Sequence, residues 1–176
     1  MVWNAAILGD GMVTGPSKKA LKESAKDLIE AQNTMTVATA QAQVAWAAPV
    51  YYVFSNSCFY FFSEPGSRHV MESLASGQAS SAIYASGASW QEIRGIQMSG
   101  TIESVSVGFE AMEAVRAYLK KFSFTREFFS SREDLDINAF AKRFRVKLYR
   151  FKPDLIYYMD NSIRFGFRER IDFEGI

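Results

Sequence analysis

Between Thr34 and Ser63 the chain passes through three short β-prone runs, TMTVATA, VAWAAPVYYVF and CFYFFS, each closed by polar, turn-forming residues. Ser55-Asn56-Ser57 separates the second from the third and predicts a hairpin between them. Further strands are expected at SSAIYAS, at IRGIQMSGTIESV and at RVKLYRF. In the second of these Ile96, Met98 and Ile102 alternate with Gln97, Ser99, Thr101 and Glu103, so one face is buried and the other polar. Lys152-Pro153-Asp154 reads as a break, after which LIYYM and IRFGF form a final pair around Asp160-Asn161-Ser162. Pro49 lies inside the second run and cannot donate to a ladder, which favours an edge, a bulge or an interface.

Three helical segments interrupt the strands. Gly15-Pro16-Ser17 is a stop followed by an N-cap, and KKALKESAKDLIEAQ then places Leu21, Ala25, Leu28 and Ile29 on one face, closing near Asn33. HVMESLAS sets Val70 and Leu74 on a shared face, and GFEAMEAVRAYLKKF does the same for Met112, Val115 and Leu119. Residues 123–143 are mixed and helical in part. Residues 1–16 read as a flexible or partner-packed arm, and 17–176 as one domain without internal repeats. Many short antiparallel strands with few helices describe a small β-barrel, its helices packed outside or closing its ends.

Composition narrows the function. With 20 basic against 19 acidic residues among 176, the net charge of +1 supplies no general field for nucleic acid, so any anion site must be local. The single cysteine, Cys58, rules out an internal disulfide and thiolate-rich zinc sites, and its aromatic neighbours suit a buried, inert thiol. No segment has the unbroken apolar length of a membrane-spanning helix, and MVWNAAILGDGMVTG lacks a basic leader. The cytoplasm is the expected compartment.

The most pointed chemistry lies where CFYFFS gives way to SEPGSRH. Ser63 and Ser67 carry hydroxyls, Arg68 a planar fork of donors suited to phosphate, and His69, the only histidine, can donate or carry charge. A helix starting here would add unpaired N–H groups and a positive dipole end. Two readings fit these residues: a plain loop, because Ser, Pro and Gly populate turns for conformational reasons, or a grip on one phosphate monoester. A zinc site is not expected, since no acid or cysteine accompanies His69 at ligand spacing. There is no Gly-x-Ser-x-Gly elbow, no dinucleotide fingerprint after a strand and no Gly-x-x-x-x-Gly-Lys loop.

Taken in order, TMTVATA, WAAPVYYVF, CFYFFSEPGSRHVMESL, SSAIY and IRGIQMSGTIESV resemble the pyridoxamine-phosphate-oxidase-like flavin-binding proteins. The resemblance spans Leu28 to Val107 and continues more loosely through KLYRFKPDLIYYMDNSIRFGF. It is closest to the small members of the superfamily, not to the oxidase itself. It implies a split β-barrel, antiparallel with Greek-key connections and peripheral helices, binding FMN in a homodimer with a flavin at the subunit seam. It further implies that Ala47, Ala48, Pro49 and Val50 lie along the flavin ring, and that Ser63, Ser67, Arg68 and His69 meet its phosphate. His69 stands where many relatives have lysine, and a mostly neutral imidazole is a weaker phosphate partner than an ammonium. Gln97 and Trp90 fall near the flavin or the dimer seam, or serve as an exposed strand residue and as packing. Arg164 and Arg168 alternate with Ile163, Phe165 and Phe167 and face away from the core. No acid or base presents itself for catalysis, and the oxidase's substrate-binding basic residues have no counterparts, so pyridoxamine phosphate is not the expected substrate. The resemblance implies an FMN-dependent oxidoreductase, with a nicotinamide nucleotide as a candidate electron donor. The alternatives are a non-catalytic flavin- or haem-binding protein on the same barrel, or a deazaflavin user.

Overall fold

The computed structural model describes residues 15–123, 141 and 144–173. Helix α1 (Lys18–Ala31) leads into β1 (Thr34–Gln41), β2 (Val44–Tyr51), β3 (Val53–Ser55) and β4 (Cys58–Ser63). Helix α2 (Arg68–Ser76) follows, then β5 (Ala79–Tyr84), β6 (Arg94–Ser104), α3 (Phe109–Lys121), β7 (Lys147–Asp160) and β8 (Arg168–Ile171). All strand pairs are antiparallel, in the order β2-β1-β5-β6-β7-β4-β3, with β8 beside β7. The two edge strands, β2 and β3, are consecutive in the chain and separated by Tyr52 alone. That single residue turns the chain from one edge of the sheet to the other, so the sheet curls into a split barrel with the helices at its periphery. The expected continuous run from Val44 to Phe54 is therefore two strands.

Tyr52 is fixed from three sides. Its hydroxyl donates to Ile29 O at 2.8 Å, its N–H to Asn33 O at 3.2 Å, and the Lys121 ammonium lies 4.2 Å from its ring centroid. The tight turns that feed this corner adopt positive φ at both central residues: Ala42-Gln43 between β1 and β2, and the expected Asn56-Ser57 between β3 and β4.

Strand β4 is buried on both faces, which explains its unbroken apolar sequence. Phe59 and Phe61 enter the main core with Val37, Ile96, Tyr149 and Phe151. Cys58 and Tyr60 point the other way, into a second cluster with Ala111, Ala114, Tyr118 and Phe122 of the α3 segment. Each large side chain withdrawn from water contributes roughly 1.5–3 kcal/mol. Burial pushes the Cys58 thiol pKa up, in keeping with an unreactive thiol.

Helix α1 matches expectation: Ser17 caps it by accepting from Ala20 N–H, and Leu21, Ala25, Leu28 and Ile29 are its buried residues. The other two helices are rotated from their expected faces. On α2, Leu74 is half exposed while His69, Val70, Glu72 and Ser73 point inward, because the surroundings supply polar partners for them. On α3, Met112 is exposed, and Ala111, Ala114, Val115 and Tyr118 face inward. The two alanines allow close approach, and Tyr118 donates its hydroxyl toward the carbonyls of Tyr51 and Tyr60.

Two expectations for the last strands are corrected. Lys152-Pro153-Asp154 does not end a strand: β7 runs unbroken through it, and the register with β6 shifts at Ser99/Gly100 to absorb one extra residue. IRFGF is not a strand either. Asn161 Oδ1 accepts from Gly166 N–H, Asp160 accepts from the Ser162 N–H and hydroxyl, and Gly166 has φ +69, so these residues form a turn and β8 begins at Arg168. Arg164 and Arg168 are exposed, as expected. Pro49 does occupy an edge strand. The expectations for the arm at 1–14 and for 124–140 and 142–143 lie outside the described residues.

Ser81 sits in the inward row with Val37 and Met98, and its buried hydroxyl has no hydrogen-bond partner. An unsatisfied buried hydroxyl costs about 1–3 kcal/mol, so Ser81→Ala is expected to stabilise the fold by about 1 kcal/mol in urea unfolding. A loss of stability would mean that the hydroxyl has a partner after all.

Candidate functional site: the turn between β4 and α2

Ser63 ends β4, Ser67 is the N-cap of α2, and His69 lies in its first turn. The three polar side chains converge. Ser63 Oγ stands 2.9 Å from His69 Nε2 and 3.1 Å from Ser67 Oγ, and Ser67 Oγ is 3.5 Å from the same ring nitrogen. Ser67 does not spend its hydroxyl on capping the helix. The first turn of a helix presents N–H groups without intrahelical acceptors, so two hydroxyls, an imidazole and a helix N-terminus share one place.

His69 is only 7% exposed, and burial lowers its pKa below the ordinary 6.5. The cradle therefore carries a neutral imidazole at pH 7. Because the folded protein resists a proton that the unfolded chain accepts, stability is expected to fall as pH drops below about 6.5. Thermal unfolding of the wild type and of His69→Gln between pH 5 and 8 checks this. The variant should lose that part of the acid sensitivity, and parallel profiles would contradict it.

Arg68 leaves the cradle. Its Nε donates to Glu72 Oε1 at 2.6 Å, and its guanidinium lies 4.9 Å from the centroid of the Trp46 ring on β2. Glu72 is buried and accepts at its other oxygen from the Thr39 hydroxyl at 2.6 Å. The Thr39 and Arg68 hydrogen bonds hold its carboxyl below the usual range despite the burial. Thr39, Trp46 and Glu72 were not singled out in the sequence. The i,i+4 spacing of Arg68 and Glu72 was a usable signal; the Thr39 and Trp46 contacts join residues far apart in the chain.

Strand β2 brings its start to this site through Arg68 and Trp46. Strand alternation divides the four expected ring-contacting residues: Ala47 and Pro49 are exposed on the outer face, whereas Val50 is buried and Ala48 half-buried on the inner face. As an edge strand β2 also keeps a row of N–H and C=O groups that β1 does not use. Gln97 shares the outer face with Pro49, in the register row Pro49–Thr36–Ala82–Gln97, but three strand spacings away, roughly 14 Å. Its side chain accepts from Arg168 at 3.1 Å. Trp90 lies in a short 3-10 turn, edge-on to Phe165, with ring centroids 5.6 Å apart. The structure thus gathers Ser63, Ser67 and His69, turns the neighbouring Arg68 to the start of β2, and leaves Gln97 and Trp90 apart from them. Among the described residues no group of three or more His, Cys, Asp or Glu side chains could hold a metal ion, and no helix is long and apolar enough to cross a membrane.

A curled antiparallel sheet with a polar cradle at the β4–α2 turn defines a split-barrel protein. The chain belongs to the pyridoxamine 5'-phosphate oxidase family, whose model matches residues 21–159. Among solved structures it resembles a heme binding protein from Mycobacterium smegmatis, with a TM-score of 0.65 and 16% identity over 92% of this chain. The chain spans 60% of that protein's length. It also resembles a FAD-binding protein from Mesorhizobium loti (TM-score 0.57, 16% identity, 76% of this chain and 90% of that one). A third likeness is to HutZ, the heme storage protein from Vibrio cholerae (TM-score 0.58, 14% identity, 76% of this chain and 90% of that one). At these identities the likeness is one of fold. No curated protein matches the chain in sequence.

Proposed function

We propose that this protein binds FMN, with the phosphate in the Ser63–Ser67–His69 cradle and the ring along the β2 edge, and acts as a flavin-dependent oxidoreductase. The observation that carries this reading is the convergence of two hydroxyls and an imidazole within 3.5 Å of one another at a helix N-terminus whose N-cap hydroxyl does not cap the helix. These groups suit a phosphate monoester: the hydroxyls and N–H groups donate, and the helix end supplies positive potential. The backbone groups that the β2 edge leaves unused and the small side chain of Ala47 suit a flat ring. FMN would supply the capacity to accept and return a hydride or electrons; this chain's residues bind and orient it.

Family membership and the FAD-binding relative support a flavin. In this reading the flavin lies at the seam of a homodimer, which the apolar surface of the exposed Trp46, Tyr51 and Tyr84 supports. A nicotinamide nucleotide is the first electron donor to screen. Haem is the reading that the Mycobacterium smegmatis and Vibrio cholerae relatives bring. In this chain the only histidine is buried with Nε2 against Ser63, a poorer start for an axial ligand than for a phosphate contact.

The test is the visible absorption spectrum of the protein as purified and after addition of FMN, with mass spectrometry of what acid releases. Flavin bands at one FMN per chain are expected. A Soret band would replace FMN with haem, and a protein that stays colourless with FMN present would overturn the proposal.

A further inference from the structure

Two residues before the end of β4, Phe61 pairs with Tyr149 of β7, and the two rings stack with centroids 5.8 Å apart. The His69 ring lies 6.4 Å from the Phe61 ring, so this row of side chains leads to the cradle. At the next position on the same face the register sets Ser63 opposite Lys147. Along β7 that face passes from the buried Phe151 and Tyr149 to the exposed Lys147, so the core gives way to solvent where the cradle begins. Directly opposed residues hold their Cβ atoms about 5 Å apart, and the flexible four-carbon stem of a lysine spans that gap. The ammonium is therefore within reach of a group held at Ser63 Oγ.

Among the described residues Lys147 has no ion-pair partner. The cavity that it also borders, with Phe62, Val105 and Leu148, has no carboxylate among its described lining residues. The cradle side chains themselves bring little charge, because burial lowers the His69 pKa, while the adjacent Arg68 turns to Glu72 and Trp46. A phosphate monoester carries close to two negative charges at pH 7, and an ammonium across the strand pair offsets part of them.

We propose that Lys147 is a phosphate-binding residue that reaches the Ser63–Ser67–His69 cradle from β7 and helps it to distinguish a phosphate ester from the same molecule without its phosphate. The identity of the ligand rests on the FMN reading above. Hydrogen bonds between an ammonium and a phosphate oxygen are about twice as strong as those between neutral groups. Because this cation is exposed, salt screens its part of the grip.

The experiment titrates FMN, riboflavin and, separately, inorganic phosphate into the full-length wild type, Lys147→Gln and Lys147→Arg, by calorimetry at low and high ionic strength. The wild type is expected to prefer FMN to riboflavin and to lose FMN affinity as salt rises. Lys147→Gln is expected to bind FMN and inorganic phosphate about tenfold more weakly, with a shallower salt dependence, and to bind riboflavin as the wild type does. Lys147→Arg keeps the charge and is expected to retain most of the FMN affinity. An FMN affinity and salt dependence unchanged in Lys147→Gln would overturn the proposal and keep the flavin reading, and so would an equal loss of FMN and riboflavin, the mark of a merely structural role. Inorganic phosphate held through Lys147 by a protein that ignores FMN would keep the proposal and remove the flavin reading. Failure of the wild type to bind any of the three probes would remove both.

Discussion

Replacing Ser63 and Ser67 together by alanine is expected to weaken FMN binding by about two to three orders of magnitude, because a hydrogen bond to a charged group contributes about 1.5–3 kcal/mol. Both hydroxyls lie at the same point, so their contributions overlap and the lower half of the summed range applies. Riboflavin, which lacks the phosphate, sharpens the experiment. The wild type should prefer FMN strongly over riboflavin, and the double variant should bind the two almost alike, with circular dichroism confirming that the barrel is intact. If the preference for FMN survives the double substitution, the phosphate does not sit at this turn.

Gly100→Ala is expected to cost about 3 kcal/mol or more in stability, the largest single effect foreseen for the fold. A Cβ at Gly100 would stand 2.1 Å from Lys152 O and 2.8 Å from Pro153 Cα. Both are backbone atoms of the neighbouring strand, so no rotamer change relieves the collision. The contact lies where β6 and β7 shift register, and the strain would act on the pairing that joins the two halves of the barrel. Gly95 offers an internal comparison, since its Cβ would meet Ile83 O at 2.9 Å and the strand needs a smaller shift. Chemical denaturation midpoints should therefore fall further for Gly100→Ala than for Gly95→Ala. A loss below about 1 kcal/mol for Gly100→Ala would show that the bulge can open.

The order of segments, the capped first helix and the hairpin at Asn56-Ser57 could be read from the chain because each depends on chemistry within a few residues. Ser17 reaches an N–H three residues on, and Asn56 and Ser57 accept positive φ themselves. Pro49 pointed to an edge, a bulge or an interface because its missing N–H follows it into any fold, and the structure gives the edge. The serines and histidine of SEPGSRH could be picked out for the same local reason. Their residue types are unusual after so apolar a strand, and the turn brings them to one point.

The role of Arg68 was not legible in that way. Its guanidinium could serve a phosphate as far as residue type goes, and only the packed structure turns it to Glu72 and Trp46. The orientation of α2 has the same origin. Periodicity put Val70 and Leu74 on one face, but Thr39, 33 residues from Glu72, and Ser63 supply the partners that let Glu72 and His69 turn inward. Pro153 looked like a strand break because a proline costs a ladder bond, and Gly100 on the facing strand makes room for it.

The sequence by itself determined most of the elements, their succession along the chain and the polar groups of the cradle, since alternation, capping and turn chemistry act over two to four residues. Only the tertiary structure decided which helix faces turn inward, where β7 continues, and that Arg68 turns to Glu72 and Trp46. Those outcomes depend on which distant groups can satisfy a buried charge or leave room for a backbone, and that is settled when the strands close on one another.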